Sequence, residues 1–338
     1  MSTLYLVEQH SLVRREAEYL VVQVPEDKSQ GTPKRRVEVP LIKVDQVVVV
    51  GDVTLTASAL QALLEKQVEI SFLSWQGEFK GRLTPELSKN SLIRIEQHRA
   101  HNDQERRLAL AKQFVRGKLV NMRTSLMRYN RKLASRKVED GVAQLKRIIE
   151  QVSEAGDVGT LLGFEGSGTA TYFGLFSELL KYDLGFQRRT KRPPTDPINA
   201  ALSFGYTILA NNVSAAIQSV GLDPFVGYLH SSQYGKPALA LDLMEEFRPL
   251  VVDSVVLTAV NNRVLQSRDF TEELGTYRFT DPARRDFLRK LEERMSTTIV
   301  HPVFNYQATY RRCLELQVRL LAKYLTGDVP EYSSFIVR

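Results

Sequence analysis

The 338-residue chain has one cysteine, Cys313, so it can build neither an internal disulfide nor a cysteine zinc site. That scarcity fits a reducing compartment. Long apolar runs are missing too. A membrane-spanning helix needs roughly 20 apolar residues, and even PLVVDSVVLTAV is interrupted by Asp253. The opening stretch MSTLYLVEQHSLVRREAEYL places acids and bases where a signal peptide carries its apolar segment. The expectation is a soluble, cytoplasmic protein with no membrane partner. Gly-x-Gly-x-x-Gly, Walker A, Gly-x-Ser-x-Gly and His-Glu-x-x-His patterns are all absent. Nucleotide hydrolysis, acyl transfer from a nucleophile elbow and zincin proteolysis are therefore poorly supported.

What is present is ordinary core material and an excess of positive charge. Hydrophobic residues make up 43% and charged residues 25%, enough to bury a core, and the length points to two domains. Lys and Arg outnumber Asp and Glu by 46 to 39, which favours an anionic partner without naming one.

The first 87 residues read as a small β domain. LYLVE, YLVVQVP, RVEVPL and DQVVVVGD are short, Val- and Leu-rich and separated by turn residues. Thr56 is a candidate N-cap for the helix ASALQALLEKQ, after which VEISFLSWQGEFKGRL returns to alternation with a turn at Gln76-Gly77. The polar run PEDKSQGTPKRR reads as a mobile loop. From residue 88 the texture becomes helical. Leu92–Ala134 has no proline and reads as one long helix, with a break near His101-Asn102. Further helices are expected over 140–154, 166–182, 198–220, 249–262, 282–299 and 302–325. The fold class is α+β with two domains: a β-sandwich-like domain, 1–87, and a larger all-α domain, 88–338.

Charge is unevenly divided. Between Ser91 and Lys137 stand 13 Lys and Arg against Glu96, Asp103 and Glu105. Lys112, Arg116, Arg123 and Arg131 recur at spacings that line one helix face, as a phosphate-binding stripe would. A solvated helix surface accounts for the pattern equally well. The run Arg188, Arg189, Lys191, Arg192 precedes Pro193-Pro194 and reads as a flexible basic loop, either a mobile polyanion clamp or merely solvated.

Three blocks carry candidate chemistry. In HSSQYGKPALALDLMEEFRP, Asp242 and Glu245 are three apart, on one face of a helix, and His230 precedes them by a dozen residues. Oxygen ligands suit Mg²⁺, and an added imidazole leans a site towards Mn²⁺. Acids in the first turn of a surface helix are the blander explanation. Glu165, in LLGFEGSGTATYFG, is followed by small residues that allow close approach, or it is a capping acid at a helix start. His10, His98, His101 and His301 read as ordinary surface or core histidines, Trp75 as packing, and Cys313 as a small core residue.

Taken together, GDVTLTASALQALLEKQVEISFLSWQGEFKGRL, LLGFEGSGTATYF, DPINAALSFGYTILANNVSAAIQSVGLDPFVGYLH, LALDLMEEFRPLVVDSVV and YRRCLELQVRLLAKYLTGD carry a specific resemblance. The sequence resembles the CRISPR-associated endonuclease/spacer integrase family, the universal first protein of the CRISPR adaptation module. On that resemblance Glu165, His230 and Glu245 fall on the catalytic metal positions, for Mg²⁺ or Mn²⁺, and Asp242 on a neighbouring acidic position. Some members carry Asp where Glu245 stands, a change of reach. Glu246 leaves open which carboxylate points inward, and Asp242 is either a second-metal group or an outer one.

The resemblance implies a homodimer paired through the β domains, with helical domains carrying the sites. It also implies a small second CRISPR-associated protein as partner and double-stranded DNA, prespacer and CRISPR repeat, as substrate. Arg116, Arg123, Arg131, Arg188, Arg189, Lys191 and Arg192 become expected phosphate contacts, and Tyr206 and Lys236 expected DNA-orienting residues. The implied reaction is attack of a DNA 3′-OH, or of water in nuclease side reactions, on a phosphodiester. Competing possibilities are a catalytically silent DNA-binding architectural subunit, an integrase of a mobile element, and a metal-dependent phosphodiesterase acting on RNA.

Overall fold

Five consecutive buried residues, Gln46–Val50, run through the centre of the first unit; four of them are valines, which favour a strand with both faces covered. The protein is described by a computed structural model over residues 3–26, 33–86, 90–191, 193–230 and 234–337. It divides into two compact units, residues 1–87 and 88–338.

In the first unit, the strands are β1 (Thr3–Leu6), β2 (Ser11–Glu16), β3 (Tyr19–Val24), β4 (Arg35–Pro40), β5 (Gln46–Val50) and β6 (Val53–Leu55). Helix α1 (Ala57–Glu65) then leads to β7 (Glu69–Leu73) and β8 (Phe79–Leu83). One sheet has the order β1-β5-β7-β8 and the other β4-β3-β2-β6. Both sheets feed one core: Val13, Leu20 and Val22 from the second, Val47, Val49 and Ile70 from the first, with Ala59 and Leu63 of α1. Thr56 caps α1, accepting from Ala59 N, and Gly77 turns β7 into β8 with φ of 85°. Much of the expected mobile loop, 27–32, lies outside the described residues, whereas Arg35 and Arg36 are the first residues of β4.

The second unit is helical. It holds α2 (Ser91–Asn102), α3 (Gln104–Leu133), α4 (Arg136–Val152), α5 (Val158–Gly174), α6 (Pro197–Val220), α7 (Ala238–Met244) and α8 (Ser254–Asn261). The anticipated break falls at Asp103, whose carboxylate caps α3 by accepting from Glu105 N and Arg106 N. Between α7 and α8 the chain makes one π turn, Pro249–Asp253, closed by Asp253 N donating to Arg248 O at 3.1 Å. Leu250 O accepts from Arg294 Nε at 2.7 Å.

Two small ribbons qualify the all-α expectation. Strands β9 (Phe270–Glu273) and β10 (Thr276–Phe279) form one hairpin. After α9 (Asp281–Met295), β11 (Thr298–Val300) and β12 (Gln307–Thr309) form another, so α10 (Tyr310–Thr326) starts at Tyr310 and not near 302. Thr297, Thr298, Ile299 and Val300 are β-branched, and Pro302 cannot continue a helix, which is why a ribbon forms there. Helix α6 has the length and apolarity of a membrane span by composition, yet 67% of its apolar window is buried inside the unit.

The segment after α10 is pinned across the back of α3 and α7. Tyr332 and Phe335 are buried, and the Phe335 ring stacks on Phe247 at 4.6 Å. Asn121 Nδ2 donates to Phe335 O and to Glu246 O, while its Oδ1 accepts from Val337 N. His301, also buried, accepts from Val303 N and Phe304 N on Nδ1 and meets the Phe335 ring edge-on. Burial pushes that imidazole down to about 4. Cys313 is a fully buried core residue, its thiol pushed up to about 11 by burial.

Candidate active site

Helix α3 has two unlike faces. Arg116 and Arg131 are exposed and Arg123 half-buried on one side, as the spacing implied, while Lys112 gives its ammonium to Ser153 O at 2.8 Å. On the opposite, apolar side, between Phe114 and Met122, sits Lys118, only 2% exposed. Its side chain points into a cluster of acids. Glu165 lies inside α5, whose N-cap is Asp157, so it is not the capping acid of a helix start. Its Oε1 accepts from Thr169 Oγ1 at 3.0 Å and pairs with the Lys118 ammonium. Gly168, one turn on, faces Leu119 of α3 so closely that a methyl group there would collide with it.

Glu245 follows the last turn of α7, so DLMEEF ends a buried helix and does not begin a surface one. Its Oε2 lies 2.8 Å from Lys118 Nζ and its Oε1 2.9 Å from Arg248 Nη1. The Lys118 contact is an ion pair whose angle is poor for a hydrogen bond, and Oε2 has no aligned donor among the described residues. Burial alone would raise the Glu245 carboxyl, but Arg248 and Lys118 hold it down at about 2. Glu246 faces the other way. It accepts from Tyr332 OH and Phe335 N, each at 3.0 Å, and burial lifts it to about 8. The inward carboxylate is therefore Glu245.

His230 is aimed by Asp242. The fully buried Asp242 accepts from Tyr228 N and Leu229 N on Oδ2, and from His230 N and His230 Nδ1 on Oδ1, at 2.6 to 3.0 Å. Four donors occupy its lone-pair directions, and through them Asp242 orients His230. With Nδ1 donating, the His230 Nε2 lone pair is free, and it stands 4.0 Å from Glu245 Oε1. Gly227 makes the close approach possible, since a Cβ there would meet Asp242 Oδ2 and the Ala238 backbone.

Beyond this lies a second group of cations. Tyr206 OH donates to Asp253 Oδ1 at 2.5 Å, and the Tyr206 ring lies between Arg248 at 4.8 Å and Arg189 at 5.4 Å. Burial raises the Asp253 carboxyl to about 6. The π turn puts Arg248 and Asp253 on the same side of the chain, where both reach Tyr206. The 188–191 stretch is fastened down, contrary to a free basic loop. Asn199 accepts from Thr190 N and Arg189 Nη1 and donates to Arg188 O, and Arg189 also donates to Ser203 Oγ. Arg188 and Lys191 are exposed, while Arg192 lies outside the described residues. Lys236, half-buried before α7, makes no ion pair among the described residues.

Lys118, Arg248 and Asp253 escaped sequence reasoning, although signals existed. A lysine on an apolar stripe and an aspartate interrupting an apolar run both mark charges that must be paired inside. Among the described residues no three His, Cys, Asp or Glu side chains converge on one metal position. The cation between Glu165 and Glu245 is the Lys118 ammonium. A buried oxygen with no aligned donor, a second carboxylate beside it and a free imidazole nitrogen nearby are nonetheless a donor set suited to a hard divalent cation.

The chain thus has a mixed β unit followed by a helical unit that gathers two carboxylates, an oriented histidine and an arginine. The profile described as CRISPR associated protein Cas1 matches residues 4–293, and the chain belongs to that family. It is 40% identical over 299 residues to the CRISPR-associated endonuclease Cas1 3 of Thermus thermophilus, covering 88% of each. It is 37% identical to the Cas4/endonuclease Cas1 fusion of Geobacter sulfurreducens, where 99% of the chain spans 60% of the fusion's length. A casposase bound to integration product has the same fold, with a TM-score of 0.86 at 24% identity over 98% of this chain and 93% of that one. One chain of a Cas6-RT-Cas1–Cas2 complex matches at TM-score 0.80 and 27% identity, covering all of this chain and 36% of that one.

Proposed function

We propose that this chain is a metal-dependent DNA endonuclease and integrase that joins short DNA fragments to a CRISPR array by 3′-OH transesterification. Glu165, His230 and Glu245 would hold Mg²⁺ or Mn²⁺. The observation that carries the reading is the gathering of a buried carboxylate, Glu245, and a half-buried one, Glu165, about one ammonium, beside an imidazole whose Nε2 lone pair is left free by Asp242.

When bound, the ion supplies Lewis acidity at the phosphate and acidifies the attacking hydroxyl or water. The chain's own groups do the rest. Asp242 keeps the proton on His230 Nδ1, so that Nε2 is a ligand and not a base. Arg248 and Arg189, braced by Tyr206 and Asp253, present positive charge to phosphate oxygens as charge builds on them. Exposed Arg116, Arg131, Arg188 and Lys191 contact the DNA backbone and set affinity, not sequence preference. Pairing of two copies through the β unit, a small second CRISPR-associated protein as partner and a cytoplasmic location belong to the same proposal. Support for the partner is the likeness to the Cas1–Cas2-containing assembly.

The test is transfer of a labelled short duplex into a supercoiled plasmid carrying a repeat array, with Mn²⁺ and the small partner, for wild type and His230→Ala. Joined label from the wild type alone is expected. Equal transfer by both would remove His230 from the reaction, and tight salt-sensitive binding with no transfer by either would favour a silent architectural subunit.

A further inference from the structure

Two like-charged carboxylates, Glu245 buried and Glu165 half-buried, share one site, and a side chain holds them there. Lys118 stands on the apolar face of α3, where helix packing alone calls for no charge, and it is almost completely withdrawn from solvent. Its ammonium pairs with Glu165 Oε1 and lies 2.8 Å from Glu245 Oε2. That second oxygen has no aligned hydrogen-bond donor, so the ammonium holds it by charge and not by a directed bond. Arg248 takes the other oxygen of Glu245, Oε1. The Lys118 position is thus where one cation touches both acids.

We propose that Lys118 is the resident counter-cation of the cluster, a positioning residue, and that a divalent metal ion binds by exchange, displacing its ammonium from between Glu165 and Glu245. This inference rests on the metal reading of the site given above. Without a cation between them the two carboxylates would repel, and Glu245 would keep only Arg248 to offset its desolvation. Lysine suits an exchange. Its charge is a compact point on a flexible four-carbon stem, which can withdraw where a rigid guanidinium fork would resist. The metal-free protein therefore keeps the spacing of its ligands, and the metal competes with a charge already in place.

Isothermal titration with Mn²⁺, together with thermal melts in EDTA and in Mn²⁺, tests the exchange in wild type, Lys118→Met and Glu165→Gln. Lys118→Met is expected to melt below wild type in EDTA, to gain more from Mn²⁺ and to bind it at least tenfold more tightly. Affinity equal to or weaker than wild type in a folded Lys118→Met protein overturns the exchange. A second measurement needs no loss of the side chain. Wild type labelled with ¹⁵N-lysine is expected to show a protected ammonium signal in EDTA, absent from Lys118→Arg, that shifts or vanishes at saturating Mg²⁺. A signal unmoved by saturating Mg²⁺ overturns the exchange even if Lys118→Met does not fold. If wild type and Glu165→Gln bind Mn²⁺ alike, the metal reading itself fails. If Glu165→Gln alone loses binding while Lys118→Met matches wild type, the exchange fails and the metal reading stands.

Discussion

Glu245 and Glu246 are neighbours, identical in chemistry and both buried, yet the two sides of the chain treat them in opposite ways. Glu245 meets Lys118 and Arg248 and is held down at about 2. Glu246 meets a tyrosine hydroxyl, a backbone amide and a glutamine and is lifted to about 8. Burial acts on both in the same direction; the difference is whether full positive charges are near enough to outweigh it. One side of the turn is an ionic site that tolerates a charged carboxylate. The other is a neutral joint that fastens residues 332–337 to the back of that site.

The sharpest way to break the contrast is to substitute each residue. Glu245→Gln removes a charge that the proposed metal needs, and strand transfer should fall on the order of a thousandfold. Glu246→Ala should instead lower stability, by about 3 kcal/mol, because Tyr332 OH and Phe335 N lose their buried acceptor. Urea midpoints and plasmid-transfer rates measured on the same preparations separate the two. A Glu246→Ala protein of unchanged midpoint would dissolve the contrast.

Asp242→Asn tests how the ionic side aims its histidine. An amide cannot accept from all four donors at once, so the His230 tautomer and ring are released. Mn²⁺ affinity by titration should drop by roughly 10–100-fold. Unchanged affinity would mean that the backbone alone sets His230.

A pH effect belongs to the neutral side. The His301 imidazole sits at about 4 when folded, against about 6.5 when unfolded. The unfolded chain binds the proton more readily, so stability is full above about pH 6.5 and declines as pH falls towards 4. The loss is at most about 3 kcal/mol. His301→Asn, which keeps an acceptor for Val303 N and Phe304 N, should flatten that part of a urea-midpoint profile. An unaltered acid slope would place its origin elsewhere.

The strand-rich first unit was legible because Val and Leu alternate between turn residues, and the Thr56 cap and Gln76-Gly77 turn sit in plain local signals. The helical unit was legible in kind but less so in its limits. Glu165 looked like a helix-start acid because the glycines around it blur periodicity, and the β11–β12 ribbon hid inside an apolar stretch. From the residues alone Glu165, His230 and Glu245 had competing explanations; the family resemblance singled them out. What no local pattern conveys is which neighbours meet across the fold. Lys118 reads as one more base in a basic helix until α5 and α7 close on it. Glu245 cannot be told from Glu246 until residues 332–337 claim the latter.

The π turn at Pro249–Asp253 has a consequence for how the chain tolerates change in length. It holds one residue more than a regular helical turn, and that surplus brings Arg248 and Asp253 round to the same tyrosine. Deleting a residue there would leave a straighter, more regular helix, with Asp253 carried about 100° around the axis. The local backbone would be tidier, while Tyr206 would lose its acceptor and Arg248 its brace. At this place irregularity is information, and a shorter loop would be an erasure.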